Sequence, residues 1–380
     1  MLPVSETTSS LNRIYLEVTN CCNLECRICI RNTWAVLPGR LSIKLYGKIL
    51  EDIQQLNPIP EIFFGGYGEP LIHPDIIKMI QDARKIGAKT ALITNGTLLS
   101  AETSKALISA GLNRLWVSLD GAHSESYHHI NQGENQPNIL RNLKRFQEIN
   151  KSTESTPQGF GDTELGIVIV VLKKNAANLQ DMVEQGIKLG ANSFFFTYLE
   201  AYSGEMAKEA LYPVGISRPQ TGRALKKSEF PTPESALNDT LADIKRKSLE
   251  NGNEIKLAGS FVDQDPPVCS FVDQRAVVVR WDGEVSPCLP LLYSHISILG
   301  SWKREVKSFS LGNIESSSIL NIWHSPGYVE LRDRLLDNRF SPCINCQDCW
   351  LSEDNLLDCM GYEHPTCGGC LWSSGLIQCP

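Results

Sequence analysis

The sequence predicts an α/β protein in which strand–helix repeats build a parallel sheet, followed by a smaller, cysteine-rich α+β region. Short apolar runs alternate with longer amphipathic runs through the first half of the chain, which is typical of such repeats. Four of the 13 cysteines lie before residue 30 and the others lie after residue 268. A chain of 380 residues is also long enough for two domains.

The alternation of strands and helices runs from residue 13 to residue 198. The expected strands are Arg13–Val18, Glu61–Phe64, Lys89–Thr94, Arg114–Leu119, Leu165–Leu172 and Ser193–Tyr198. The expected helices are Ser42–Leu56, Pro74–Ile86, Ala101–Ala110, Gln136–Ile149 and Asn178–Leu189. Parallel strands joined by helices need right-handed crossovers, so the six strands form one sheet, which is either open or closed into a barrel.

The ends of these helices carry their own signals. Ser42 can act as an N-cap because its hydroxyl can accept a hydrogen bond from a free backbone N–H of the first turn. Gly87, Gly111 and Gly190 follow three of the helices, where glycine adopts the left-handed conformation that ends a helix. These signals support the helix boundaries given above.

Composition excludes several classes of protein. The net charge of −7 and the isoelectric point near 5.6 argue against a nucleic-acid scaffold. The first ten residues lack the basic start and apolar run of a signal peptide, and no apolar stretch approaches the roughly 20 residues of a membrane span. We therefore expect a cytoplasmic protein with neither a nucleic-acid partner nor a membrane.

The cysteines are numerous for a protein of a reducing compartment, where disulfides are rare. Grouped cysteines in such a protein indicate metal ligands. Cys22, Cys26 and Cys29 form a CxxxCxxC pattern directly after the first expected strand. Three thiolates on a four-iron cluster would leave one iron open to a ligand, and a zinc site is the alternative. Cys21 falls outside the spacing and is expected to pack rather than to bind metal.

Polar residues follow the next strands of the predicted sheet. The segment Phe64–Pro70 is rich in glycine, which allows the backbone to approach a ligand closely, and its Glu69 can accept hydrogen bonds from an ammonium group. Asn95, Ser118 and Asp120 follow or end the third and fourth strands. Each has an ordinary alternative as a turn former or helix cap, but the carboxyl ends of parallel strands share one edge, which favours a common site.

The C-terminal region has a cysteine pattern of its own. Cys269 and Cys288 flank a predicted hairpin whose turn contains Gly283, so they are expected to lie close together. The further cysteines are Cys343, Cys346, Cys349, Cys359, Cys367, Cys370 and Cys379. CxxC pairs suit zinc as well as iron–sulfur clusters, so a zinc ribbon is the alternative to a cluster domain.

Taken in order, the motifs of residues 11 to 200 closely resemble the radical S-adenosylmethionine (SAM) superfamily. The resemblance implies a partial (β/α)6, TIM-like barrel in which Cys22, Cys26 and Cys29 hold a 4Fe-4S cluster. It further implies that the methionyl amine of SAM is bound by Gly66, Gly68 and Glu69, and that the ribose and carboxylate lie near Asn95, Ser118 and Asp120. Gly-Tyr-Gly-Glu-Pro replaces the Gly-Gly-Glu-Pro of many members.

The C-terminal region resembles the SPASM/twitch extensions of radical SAM maturases, through Cys269, Gly283 and Cys288 and the stretch 311–325. The resemblance implies one auxiliary 4Fe-4S cluster held by Cys269, Cys288 and two of the CxxCxxC cysteines Cys343, Cys346 and Cys349. A second cluster would use Cys359, Cys367, Cys370 and Cys379. The expected domains are a barrel at 1–215, a linker with the helix Pro233–Glu250 at 216–260, and a SPASM/twitch-like domain at 261–380.

The family implies reductive cleavage of SAM to a 5′-deoxyadenosyl radical, which abstracts hydrogen from a substrate. It also implies a reductant protein such as ferredoxin or flavodoxin. Three segments resemble the maturases of tungsten-cofactor (tungstopterin) oxidoreductases: Arg31–Trp34, Tyr198–Tyr212 and Cys367–Pro380. A tungsten oxidoreductase or its cofactor is therefore the expected target. The alternatives are a peptide or protein side-chain maturase, another small-molecule radical SAM enzyme, or a non-catalytic electron carrier or zinc module.

Overall fold

The structure, a computed structural model, describes residues 10–120, 136–153, 163–211, 242–244, 246, 250, 269–299, 302–337, 339–341, 343, 349–373, 375 and 377–380. Most of the expected linker and of the helix Pro233–Glu250 lies outside these residues, and so does Cys346. No helix in the described ranges is both long enough and apolar enough to span a membrane.

The strands alternate with helices in the expected order. The strands are β1 Arg13–Leu16, β2 Glu61–Phe64, β3 Thr90–Thr94, β4 Arg114–Ser118, β5 Glu164–Val171, β6 Ser193–Tyr198, β7 Ala276–Val279, β8 Glu284–Ser286, β9 His295–Leu299, β10 Trp302–Val306 and β11 Gly312–Asn313. The helices are α1 Ile43–Ile53, α2 Ile76–Lys85, α3 Ala101–Ser109, α4 Gln136–Ser152, α5 Leu179–Lys188, α6 Gly204–Glu209, α7 Ser270–Asp273, α8 Ile319–Trp323 and α9 Pro326–Leu336.

Strands β1 to β6 pair in sequence order, and all five pairings are parallel. This confirms the six strand–helix repeats. Ser42 accepts a hydrogen bond from Leu45 N at 3.1 Å, as expected of the N-cap of α1. Gly87, Gly111 and Gly190 have φ angles of 88°, 81° and 85°, so all three adopt the predicted left-handed conformation.

The sheet continues into the C-terminal region. Strand β7 pairs with β1 in parallel, on the side opposite β2, and then turns through Gly283 into the antiparallel β8. The predicted hairpin is confirmed, and its position adds a fact that the sequence did not indicate: the first strands after residue 269 extend the barrel sheet. The cysteine that precedes the hairpin is therefore anchored on the barrel itself.

The C-terminal residues also share the core of the barrel. Leu371, Trp372 and Ile377 are buried in the same hydrophobic cluster as the side chains of β1 and β2. Gln378 N donates a hydrogen bond to Thr197 Oγ1 of β6 at 3.1 Å, and Tyr15 Oη of β1 donates one to the Pro380 carbonyl at 2.9 Å. The tail thus contacts both β1 and β6, which brings its cysteines back to the barrel.

Candidate active site

A cavity of about 300 Å³ lies beyond the carboxyl ends of β1 to β5. It is lined by all nine barrel residues that the sequence singled out: Cys22, Cys26, Cys29, Gly66, Gly68, Glu69, Asn95, Ser118 and Asp120. These residues come from separate loops and meet because parallel strands end at the same edge of the sheet. The nine residues that the sequence predicted to share one site therefore line one cavity.

The three cysteines occupy the loop that follows β1. Burial raises the pKa of the Cys22 and Cys29 thiols and raises that of Cys26 to about 12, and the three thiols act on one another electrostatically. Without a cation they are therefore protonated at neutral pH. A bound metal cluster would supply the positive charge that turns them into thiolates. Three soft sulfur donors that line the same cavity fit an iron–sulfur cluster.

The glycines of the β2 loop allow that loop to pack tightly against the end of β1. Gly66 has a φ angle of 136°, and a Cβ there would lie 2.7 Å from Glu17 Cγ. A Cβ on Gly68 would lie 2.1 Å from the Thr19 carbonyl oxygen. Both positions therefore exclude any side chain, and the backbone itself lines the cavity. Their binding of the methionyl amine stays a prediction.

Glu69 is buried at the centre of this arrangement. Its carboxylate accepts hydrogen bonds from Leu71 N at 3.0 Å, Thr94 Oγ1 at 2.8 Å and Asn95 N at 2.8 Å. Burial nevertheless raises its pKa to about 7. A carboxylate has about four lone-pair positions, so one acceptor position remains for a ligand in the cavity. A cationic ligand would compensate the buried negative charge.

Asn95 and Asp120 lie near different cysteines of the cysteine loop. Asn95 Nδ2 donates to Asn23 Oδ1 at 3.0 Å and lies 3.8 Å from Cys22 Sγ. Asp120 accepts from Val170 N at 2.9 Å and from Ser118 Oγ at 3.2 Å, and burial raises its pKa to about 6. Asp120 is close enough to Cys26 to influence that thiol electrostatically.

Other polar residues at the strand ends have structural roles. Asn175 is buried and donates from Nδ2 to the carbonyls of Asp120 at 2.9 Å and Val170 at 2.8 Å. It therefore holds the β4 and β5 ends together. Lys173 Nζ donates to the Lys208 carbonyl at 2.9 Å. Neither residue lines the cavity.

Sequence reasoning missed two tyrosines that line the cavity, Tyr67 and Tyr202. Tyr202 Oη donates to Glu200 Oε2 at 3.2 Å, and the same oxygen accepts from Trp372 Nε1 at 2.8 Å. Glu200 therefore connects the barrel cavity to the C-terminal region. A signal existed for Tyr67, because it interrupts the glycines of the β2 loop.

Glu17 was also missed, although it lies directly behind the cavity. It is fully buried, accepts from Tyr67 N at 3.2 Å and receives a hydrogen bond from Tyr293 Oη. Burial raises its pKa to about 7. Side chains with polar groups occupy every second position of the expected strand Arg13–Val18, at Arg13, Tyr15 and Glu17. Because alternate residues of a strand share one face, this pattern was the signal that could have indicated Glu17.

A second, smaller cavity of about 50 Å³ is lined by Cys269, Cys288, Cys367 and Cys370. The thiols act on one another electrostatically, and all four are buried enough that the pKa of each is raised. Cys269 and Cys288 lie together as predicted. Their neighbours in this cavity, however, are Cys367 and Cys370, and the described members of the CxxCxxC run, Cys343 and Cys349, do not line it. The tail folds back here and packs Trp372 against Phe271, with ring centroids 5.8 Å apart.

The loop between Cys367 and Cys370 has room for backbone only. A Cβ on Gly368 would lie 1.8 Å from the Ser341 carbonyl oxygen, and one on Gly369 would lie 1.9 Å from Arg304 Nη1. A glycine pair lets two cysteines approach the same point closely, which suits a compact cluster. Four thiol donors around one buried cavity fit an auxiliary iron–sulfur cluster.

The other C-terminal cysteines in the described ranges do not line this cavity. Cys343 and Cys359 are near enough to interact electrostatically, and Cys349 lies between them in sequence. Cys379 lies beside Arg13 and Tyr15 in the barrel, and no described cysteine acts on it. The structure thus separates Cys379 from the three cysteines with which it had been grouped. Within the described ranges, no three His, Cys, Asp or Glu side chains surround a single ion position.

Two family models match the chain. The radical SAM superfamily model matches residues 16–168, and the SPASM model, an iron–sulfur cluster-binding domain, matches residues 269–350. With the parallel barrel and its three-cysteine cavity, these matches identify the chain as a member of the radical SAM superfamily with a SPASM domain. It is an enzyme that uses a 4Fe-4S cluster and SAM, and its SPASM domain is an additional iron–sulfur cluster-binding domain.

One relative matches almost the whole chain: the tungsten-containing aldehyde ferredoxin oxidoreductase cofactor-modifying protein of Pyrococcus furiosus. It is 28% identical over 374 residues, which cover 97% of this chain and 96% of the relative. The AdoMet-dependent heme synthase of Methanosarcina barkeri is 28% identical over 194 residues, which cover 50% of this chain and 52% of that protein.

Solved structures share the fold. SuiB of Streptococcus suis bound to S-adenosylmethionine superposes with a TM-score of 0.58 at 15% identity, covering 85% of this chain and 68% of SuiB. The protein anSMEcpe with bound AdoMet gives a TM-score of 0.56 at 18% identity, covering 84% of this chain and 82% of that one. The predicted fold class and family are confirmed.

Proposed function

We propose that this enzyme modifies the cofactor of a tungsten-containing oxidoreductase. The observation that carries the proposal is the length of one alignment. The cofactor-modifying protein of Pyrococcus furiosus aligns from the barrel through the C-terminal region, whereas the heme synthase aligns over only half of this chain. Substrate specificity depends on parts outside the shared barrel, so similarity in both regions is more informative than similarity in the barrel alone.

The proposal is supported by the positions of the three segments that resemble the maturases of tungsten-cofactor oxidoreductases, which are Arg31–Trp34, Tyr198–Tyr212 and Cys367–Pro380. Trp34 packs against Tyr67 of the barrel cavity, with ring centroids 5.2 Å apart, and against Tyr293, with centroids 4.1 Å apart. Trp372 contacts Glu200, which lies in the segment 198–212. Arg31 and Tyr202 therefore bring two of the segments to the barrel cavity, where they would contact a substrate. The third segment lines the smaller cavity and is joined to the second through the Trp372–Glu200 hydrogen bond.

For the chemistry we propose that Cys22, Cys26 and Cys29 hold the 4Fe-4S cluster and leave one iron free for SAM. The bound cluster and SAM would supply one-electron cleavage of a carbon–sulfur bond and a radical that abstracts hydrogen. Gly66, Gly68 and Glu69 would bind the methionyl amine. The ribose and carboxylate would lie near Asn95, Ser118 and Asp120, which line the same cavity.

The chain itself would position SAM and keep water away. The carboxylates of Glu69 and Asp120 are buried and held by hydrogen bonds from the backbone, so neither has to reorganise when a ligand binds. Tyr67 and Tyr202 line the cavity and contact the C-terminal region, Tyr67 through Tyr293 and Tyr202 through Glu200. The required electron would come from a reductant protein, and we propose a ferredoxin or a flavodoxin.

The substrate proposal is tested with purified, anaerobically reconstituted enzyme, SAM and dithionite. A tungsten-containing oxidoreductase, and separately the pterin cofactor released from it, are added, and 5′-deoxyadenosine is quantified. We expect either addition to raise deoxyadenosine formation about tenfold above the uncoupled rate, because a bound substrate orients the reacting groups. The mass of the cofactor should change in proportion to the deoxyadenosine formed.

A matched reaction with a set of cysteine-rich precursor peptides distinguishes the alternative. Stimulation by a peptide with a corresponding change in peptide mass, and none by the cofactor or its oxidoreductase, would contradict the proposed substrate. It would identify a peptide maturase on the same radical SAM barrel. Molybdenum-loaded oxidoreductase serves as a control for the selectivity toward tungsten.

Glu69→Gln should weaken SAM binding by about tenfold or more. A carboxylate facing an ammonium group makes a charge-assisted hydrogen bond, which is worth roughly 1.5–3 kcal/mol and is lost in the neutral amide. SAM dissociation constants are measured on reconstituted protein by anaerobic calorimetry. Glu25→Gln is the control, because Glu25 is an exposed carboxylate on the same cysteine loop. An unchanged dissociation constant for Glu69→Gln would remove Glu69 from the binding site.

A further inference from the structure

Strand β10 carries a buried arginine whose charge the described residues do not balance. Arg304 is 2% exposed and forms no ion pair with any described acidic side chain. Its Nε donates to the Asp354 carbonyl at 3.1 Å, and its Nη2 donates to the Thr366 carbonyl at 3.1 Å and Oγ1 at 3.2 Å. These acceptors are neutral, and burying a charge without a counter-charge is costly.

The Nη1 nitrogen of Arg304 is available to donate a hydrogen bond to a ligand. Nη1 is buried and has no hydrogen-bond partner among the described residues. It packs against Gly369, since a Cβ there would lie 1.9 Å from it, and Gly369 lies between Cys367 and Cys370. Arg304 also lines the cavity that these two cysteines share with Cys269 and Cys288. The free N–H is therefore next to the cysteines that would hold an auxiliary cluster.

Arg304 also connects the two groups of C-terminal cysteines. Its hydrogen bonds reach Asp354, which lies between Cys349 and Cys359, and Thr366, which directly precedes Cys367. Its charge acts on Cys343 in one group and on Cys367 in the other. A cluster held by four thiolates is anionic, and Arg304 is a buried cation that packs directly against the loop that would carry two of them.

We propose that Arg304 is the counter-charge of an auxiliary cluster at Cys269, Cys288, Cys367 and Cys370, with Nη1 donating to a cluster sulfur. Reduction of the cluster by one electron, taken from an external reductant, adds negative charge next to the guanidinium. The positive charge favours the reduced form, so Arg304 raises the reduction potential. This proposal rests on the auxiliary cluster and not on the identity of the substrate.

The test uses full-length, reconstituted protein in which Cys22, Cys26 and Cys29 are replaced by Ala, so that only auxiliary clusters give a signal. Redox titrations monitored by electron paramagnetic resonance then compare the protein that keeps Arg304 with the Arg304→Gln variant. At a fixed potential, the ratio of reduced to oxidised cluster should fall about tenfold in the variant, which equals a lowering of the potential by about 59 mV for one electron. The signal is assigned through its loss in Cys367→Ala.

Two further variants distinguish an effect of the Arg304 charge on the reduction potential from an effect of the substitution on folding. Arg304→Lys keeps the charge and should retain most of the potential of the unsubstituted protein. Arg114→Gln is the control for the loss of a positive charge, because Arg114 pairs with Glu164 at the amino end of β4 and lines neither cavity, so its removal should leave the potential unchanged.

An equal potential in Arg304→Gln with full iron content would overturn the proposal. So would a fall in Arg304→Lys as large as that in Arg304→Gln. If Arg304→Gln loses the cluster, Arg304→Lys decides: a retained cluster near the original potential supports the counter-charge, and loss in both variants makes Arg304 a structural residue only.

Discussion

Replacing Cys22, Cys26 and Cys29 together with Ala should reduce 5′-deoxyadenosine formation to background. These three cysteines line the cavity that is also lined by Glu69 and Asp120. Without them the proposed 4Fe-4S cluster would lose its protein ligands, and with it the one-electron chemistry that it would supply, so we expect the loss to be complete rather than partial. The measurement is deoxyadenosine formed under dithionite by anaerobically reconstituted protein, together with its iron content.

Cys21→Ala provides the matched control for this loss. Cys21 directly precedes Cys22 but does not line the cavity, and its contribution is a backbone carbonyl that accepts from Glu69 N at 2.8 Å. Alanine keeps that carbonyl, so the variant should retain deoxyadenosine formation and iron. The triple variant should lose one cluster of iron and keep the auxiliary iron. Undiminished SAM cleavage in the triple variant would show that the cluster lies elsewhere.

The second large effect concerns the grouping of the C-terminal cysteines. Cys269→Ala and Cys367→Ala should each lower iron by about one cluster per chain, and the double variant should lose no more than either single variant. Ligands of the same cluster are coupled, so their effects do not add. Each variant should also make residues 269–380 more sensitive to protease, because a cluster links segments that are far apart in sequence.

A different grouping of the C-terminal cysteines would give a different iron content in the double variant. If Cys269 shared its cluster with the CxxCxxC run, Cys269→Ala and Cys367→Ala would act on different clusters, and the double variant would lose two clusters of iron. Cys379→Ala is the control. Its side chain lies beside Arg13 and Tyr15 rather than among the other cysteines, so the variant should keep all of its iron.

The sequence alone determined the barrel and the residues at its mouth. The six strands, their order and the caps at Ser42, Gly87 and Gly111 depend on local patterns that span a few residues. The cavity residues could be predicted as well, because parallel strands place their carboxyl ends at one edge, whatever the details of packing. Sequence position after a strand was therefore enough to bring Cys22 and Asp120 together.

Only the tertiary structure decided how the C-terminal cysteines are grouped. The local hairpin placed Cys269 and Cys288 together, but the family resemblance implied partners from the Cys343 run rather than Cys367 and Cys370. The return of the tail is set by the burial of Trp372 and Ile377 in the barrel core, a long-range contact that no local pattern contains. The same holds for the buried charges of Glu17 and Arg304, because burial depends on what packs around a residue and not on its neighbours in sequence.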